Sequence, residues 1–87
     1  MAENSLSIKP SAAKELQALS GKATLTRMIV KIKSLATQPR PSGYEKLAGR
    51  PNFYRVRQGN YRVICSVDDE RHVVDVVKVG HRRDVYR

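Results

Sequence analysis

Two stretches of this chain concentrate side chains that can act on phosphates. YRVRQGNYRVIC, residues 54 to 65, holds Arg55, Arg57 and Arg62, and the closing VGHRRDVYR, residues 79 to 87, holds His81, Arg82, Arg83 and Tyr86. A guanidinium presents a planar fork of donors that matches a phosphate and keeps its proton near neutral pH. Several on one surface would grip a nucleic-acid backbone and stabilise the extra negative charge on a phosphorus under attack. His81 has a pKa suited to proton transfer, although an imidazole there can equally point away and cap a turn.

Whether those arginines share a surface depends on a turn. If Gly59-Asn60 forms a two-residue hairpin loop, Gln58 pairs with Tyr61, Arg57 with Arg62, Val56 with Val63, Arg55 with Ile64 and Tyr54 with Cys65. Paired residues share a face, so Arg55, Arg57 and Arg62 turn one way while Tyr54, Val56, Val63 and Cys65 turn the other. Sliding the register by one would put arginines into the core. Like charges directly opposite each other cost up to about 1 kcal/mol relative to a neutral pair, which folding does not ask for. Arginine stems can nonetheless cover apolar surface, and salt weakens exposed repulsion. After Gly80 there is room for no element longer than one turn; if it winds as a helix, Arg82 and Tyr86 share a face.

The elements that must position these residues can be read along the chain. SLSIK, residues 5 to 9, alternates polar and apolar and fits a short strand. Pro10 and Ser11 offer a helix start, with Ser11 as the capping side chain, and Ala12, Leu16 and Leu19 follow at helical spacing until Ser20-Gly21. A second helix is expected from about Lys22 to Thr37, its apolar stripe running through Leu25, Met28, Ile29, Ile32, Leu35 and Ala36. Met28 reads as core filler. QPRPSGYEKLAGRPN, residues 38 to 52, reads as a connecting loop. Turn signals at Gly59-Asn60 and Asp68-Asp69-Glu70 then divide a β-rich half into strands near 53–58, 61–67 and 72–79, with His72 a surface residue. The order β-α-α-β-β-β predicts an α+β fold: an N-terminal strand, an antiparallel helical hairpin and a three-stranded antiparallel meander, the helices packed on one face of a curved sheet. Residues 1–87 make one domain, and the other sheet face is left for function.

The balance of 17 Lys and Arg against 8 Asp and Glu gives a formal net charge of +9, which attracts polyanions, nucleic acid first and an acidic protein second. A single cysteine, Cys65, excludes an intrachain disulfide or a cysteine-based metal site and suits a reducing cytoplasm. The N-terminal MAENSLSIKPS has no cationic segment followed by an apolar run, and no apolar run is long enough to span a bilayer. A cytoplasmic protein without membrane association is expected.

The two arginine-bearing motifs at this spacing, preceded by a helical hairpin and by the PRPSGYEKLAG loop (39 to 49), resemble the RelE branch of the RelE/ParE toxin superfamily over nearly the whole chain. The resemblance implies the toxin of a type II toxin–antitoxin pair, a ribosome-dependent endoribonuclease that cleaves mRNA in the A site. The 2′-OH of the substrate attacks the adjacent phosphate, no metal or other cofactor is needed, and translation stops. Carried over residue by residue, Arg55 and Arg57 occupy the two basic positions of the first hairpin strand and Arg62 the arginine of the next. Arg82 matches the residue that stabilises the phosphate and the leaving 5′-oxygen, and Tyr86 the tyrosine that orients the attacking nucleotide. Arg57, Arg62, Arg82 and Tyr86 form the implied catalytic set, with Arg55, His81, Arg83 and Lys46 as RNA- or phosphate-binding residues. The implied partners are a cognate antitoxin, the ribosome and mRNA, and, through the antitoxin, operator DNA.

This chain departs from the family pattern in two places. Where a lysine has been proposed as general base it has Arg57, whose guanidinium does not give up its proton near neutral pH, so Arg57 is assigned to charge stabilisation. Ala48 stands where some relatives are basic. Two other readings compete: a ParE-like inhibitor of DNA gyrase, whose relatives generally lack this Arg and Tyr set, and a generic RNA-binding module, for which four Tyr and one Phe supply few stacking platforms.

Overall fold

The computed structural model describes residues 4–19 and 21–81. Strand β1 (Ser5–Ile8) leads into helices α1 (Pro10–Gln17) and α2 (Lys22–Ser34), followed by strands β2 (Glu45–Lys46), β3 (Phe53–Gln58), β4 (Tyr61–Asp68) and β5 (Val73–His81). The sheet order is β1-β5-β4-β3-β2, with β1 parallel to β5 and the other neighbours antiparallel. This is the expected α+β arrangement with one addition: the segment read as a loop contains β2, a two-residue strand on the edge of β3.

Local chemistry explains the element ends. Pro10 occupies the first turn of α1, where its missing N–H is no loss and its fixed φ suits a helix. The N-cap is Lys9 and no side chain caps it, so the role expected of Ser11 is not taken. Gly21 caps α2 at φ 91°, a conformation that other residues adopt only with strain. The helix ends at Ser34 rather than near Thr37, because the amides of Leu35, Ala36 and Thr37 bond three residues back and tighten the last turn. Leu35 still reaches the core.

The core lies between the helices and one face of the sheet. Ala12, Met28, Ile32 and Leu35 meet Tyr54, Val56, Val63, Cys65, Val67, Val74, Val76 and Val79, all buried. Along β3 and β4 the buried apolar positions alternate, as a strand with one covered face requires. On β5 the alternation slips: Cys65 pairs with Val76 and Ile64 with Lys78, which makes Val77 the extra residue of a bulge. That insertion turns Val79 inward and Lys78 outward, and bulges of this kind bend and twist a sheet. Burial pushes the Cys65 thiol up to about 11. Among the described residues no helix is long and apolar enough to cross a membrane.

Where β1 stops pairing with β5, α1 takes over the exposed strand edge. The Val79 N–H donates to Glu15 Oε1 at 3.0 Å, and Lys78 Nζ lies 3.2 Å from Glu15 Oε2. A helix side chain thus satisfies a backbone donor that a neighbouring strand would otherwise bind.

Candidate functional site

The β3–β4 hairpin has the register read from Gly59-Asn60. Arg57 stands opposite Arg62, Arg55 opposite Ile64 and Tyr54 opposite Cys65, with Gly59 at φ 60° in the turn. The pairing continues across β5, where Arg62 faces Gly80 and Ile64 faces Lys78. Arg55, Arg57 and Arg62 therefore share the sheet face that the helices leave open.

Their surroundings differ. Arg57 is exposed and makes no ion pair among the described residues. Arg62, on the same open face, is only 7% exposed, and its Nη1 donates to the carbonyl oxygens of Gly59 at 3.2 Å and Tyr61 at 3.0 Å. Carbonyl partners at the hairpin tip orient the guanidinium on this face. Gly80 opposite it puts no side chain on this face. Arg55 does meet a carboxylate, with Nη2 3.2 Å from Glu45 Oε1. It enters the array as half of an ion pair.

The structure separates two other residues from this group. Lys46 pairs in register with Tyr54, which faces the helices, so β2 directs Lys46 away from the arginine face and presents Glu45 to it. Glu45 was not singled out from the sequence, since a two-residue strand within a Pro- and Gly-rich segment is too short to show alternation. His81 pairs with Tyr61, and that row also lies on the helix side. The two rings meet edge to face with centroids 5.5 Å apart. His81 thus starts from the face opposite Arg57 and Arg62. Arg82, Arg83 and Tyr86 lie outside the described residues.

A second basic cluster has a structural role. Arg40 bonds Asp69 at 2.8 Å, donates to the Tyr54 hydroxyl at 3.1 Å and lies 4.7 Å from the centre of that ring. Its hydrogen bond holds the Asp69 carboxyl below the usual carboxylate range. These contacts tie the segment after α2 to the β4–β5 turn. Asp68 shapes that turn by accepting the amides of Glu70 and Arg71, and exposed His72 closes it at φ 56°. Among the described residues no group of three His, Cys, Asp or Glu side chains is placed to hold a metal ion.

Comparison with known proteins bears on the family and the fold. Residues 6–86 match the family described as the ParE toxin of the type II toxin–antitoxin system parDE. Toxin RelE of Mycobacterium tuberculosis is 27% identical over 82 residues, spanning 94% of this chain and 84% of that protein. RelE in the archaeal RelE–RelB complex from Pyrococcus horikoshii superposes with a TM-score of 0.80 at 32% identity, covering 92% of this chain and 96% of that one. The intact E. coli RelBE toxin–antitoxin complex gives a TM-score of 0.76 at 30% identity, over 90% and 95% of the respective chains.

Proposed function

This chain belongs to the RelE branch of the RelE/ParE family and is a toxin of a type II toxin–antitoxin system, and from that premise we propose that it is a ribosome-dependent endoribonuclease cutting mRNA in the A site. The observation that carries this reading is the pairing of Arg57 with Arg62 on the open sheet face. Two guanidiniums set directly opposite each other present converging donor forks that a phosphate between them would satisfy.

The reaction this arrangement favours is transesterification within the RNA. The 2′-OH gives up its proton to solvent as its oxygen bonds to the adjacent phosphorus, the bond from phosphorus to the 5′-oxygen breaks and that oxygen takes up a proton, and the products carry a 2′,3′-cyclic phosphate and a 5′-OH. Negative charge builds on the phosphoryl oxygens, where Arg62, oriented in advance by two carbonyls, and exposed Arg57 supply positive charge. Arg82 is assigned to the leaving oxygen and Tyr86 to the attacking nucleotide. Arg55, shared with Glu45, serves in binding. His81 is not assigned as the base, because its strand position faces the helices. With only arginine and tyrosine to work with, the site acts by positioning and electrostatics, and the ribosome supplies the alignment of the message.

The RelE relatives are found in complexes with RelB, and we assign this chain an antitoxin of its own that covers the basic face and carries any operator-DNA binding. Cytoplasmic action follows from the ribosomal substrate. Inducing the protein in cells and mapping mRNA ends tests the reading: codon-phased cuts within translated regions should appear and should vanish in Arg82→Ala. DNA damage without such cuts would replace it with gyrase inhibition.

A further inference from the structure

Beyond the arginine pair, the open sheet face continues into a concave cleft of about 560 Å³. Its floor is apolar, formed by half-buried Phe53 of β3, Ile64 of β4 and the bulge residue Val77 of β5. Its rim is cationic: Lys9 at the start of α1, Arg50 on the loop before β3, and Lys78. Arg50 stands over the Phe53 ring, its guanidinium carbon 5.6 Å from the ring centre. Apart from Glu15, which is shared with Lys78, no carboxylate ion pair joins these three cations among the described residues.

The sheet ties this cleft to the arginine pair. Ile64 is two residues from Arg62 on the same face of β4, about 7 Å along the strand. Phe53 precedes Arg55 and Arg57 on the same face of β3. An RNA strand with one phosphate between Arg57 and Arg62 would bring a neighbouring nucleotide over the cleft. An unstacked base needs an aromatic or guanidinium plane to lie on and cations for its flanking phosphates. Phe53 and Arg50 offer the first, Lys9 and Lys78 the second.

We propose that the cleft between Phe53, Ile64 and Val77 is a nucleotide subsite, in which a base adjoining the scissile step stacks on Phe53 under Arg50 while Lys9 and Lys78 hold its phosphate. The proposal rests on the nuclease reading and names the part of the surface that selects the neighbouring nucleotide. Its floor is apolar and its cations lie on the rim, so it binds a base and its phosphate without adding charge at the reacting phosphorus. An acidic protein segment, the other polyanion that this charge could draw, would pair with Arg50 but brings no planar base to lie on Phe53.

Two experiments decide it. In the first, cleavage of mRNA on programmed ribosomes is measured for the unmodified chain, for Phe53→Leu, which keeps an apolar floor, and for Arg50→Gln, a change at an exposed loop position. Each variant should raise KM by about 5- to 150-fold, the range expected from losing one stacked base, with a much smaller change in kcat. An abasic nucleotide next to the scissile step should abolish the difference between the proteins. Unchanged KM values, or losses that persist on the abasic message, would overturn the subsite while leaving the nuclease intact. In the second, a 2′-O-methyl trinucleotide, which cannot be cleaved, is titrated into the labelled free protein and followed by NMR. Shifts at Phe53, Ile64 and Lys78 support the subsite. Shifts confined to Arg57 and Arg62, or cleft shifts produced equally by an acidic peptide, refute it. The titration decides the point even if the ribosome assay shows no cleavage and the nuclease reading fails.

Discussion

Replacing Arg62 with methionine would retain an apolar stem and remove the guanidinium, and the effect should differ in kind from the same change at Arg57. Arg62 is almost fully buried and donates to the carbonyls of Gly59 and Tyr61. A hydrogen bond from a charged donor contributes about 1.5–3 kcal/mol. Both carbonyls sit at a hairpin tip where water can replace the donor, so the two bonds together are set near one full bond, about 2–3 kcal/mol. Removing one arginine of an opposed pair returns up to about 1 kcal/mol. The net loss of about 1–3 kcal/mol corresponds to a Tm lowered by about 4–24 °C in a domain of this size. Arg57→Met loses no such bond and gains the same relief, so its Tm should hold or rise slightly. Both variants should cut message more slowly, Arg62→Met by on the order of 10²–10³-fold as for loss of a transition-state donor. Thermal melts by circular dichroism and cleavage on programmed ribosomes give the two readouts. Equal Tm shifts for the two variants, or full cleavage activity in Arg62→Met, would show that the hairpin carbonyls do not orient a working guanidinium.

Three further outcomes follow from other contacts. Glu15→Ala leaves the Val79 N–H at an uncovered strand edge and should cost about 1–3 kcal/mol, with faster amide exchange at Val79; its partly exposed pair with Lys78 adds only a few tenths. Because the Arg40 hydrogen bond depresses the Asp69 pKa in the folded state, its contribution is present above the unfolded value of about 3.9 and lost as pH falls through the lower native value. Melts of the unmodified chain and Asp69→Asn should therefore converge only in acid, and NMR titration should return Asp69 toward its ordinary value in Arg40→Gln. Cys65, buried and pushed up to about 11, should resist thiol reagents at pH 8 and react at the rate of unfolding; rapid labelling of the native protein would contradict the packing.

How much of this was legible in the residues depended on how local the determining interaction is. Gly59-Asn60 sets the hairpin register by turn chemistry alone, and the alternation of Val56, Val63 and Cys65 against the arginines leaves no competing slip, so the opposed pair was readable. Met28 in the core followed from helical spacing. What escaped depends on contacts remote in sequence. Ser7 hydrogen-bonds Asp75 across the parallel β1–β5 pairing, a partnership that no local pattern announces. The bulge at Val77 is a property of the β4–β5 pair rather than of VVKV, and it decides that Val79 and His81 face the helices. The low exposure of Arg62 and the presentation of Glu45 in place of Lys46 likewise arise only once neighbouring strands are laid side by side.

The proposed reaction requires the substrate's own 2′-oxygen to be the nucleophile at a phosphate held by Arg57 and Arg62. The most direct measurement is cleavage, on ribosomes carrying a defined A-site codon, of an mRNA with a single 2′-deoxy nucleotide on the 5′ side of the scissile phosphate. The all-ribose message should be cut to a 2′,3′-cyclic phosphate and a 5′-OH end, and the single deoxy substitution should abolish the cut while the protein still binds. Cleavage of the deoxy message at the same bond, or a product ending in a 5′-phosphate, would contradict it.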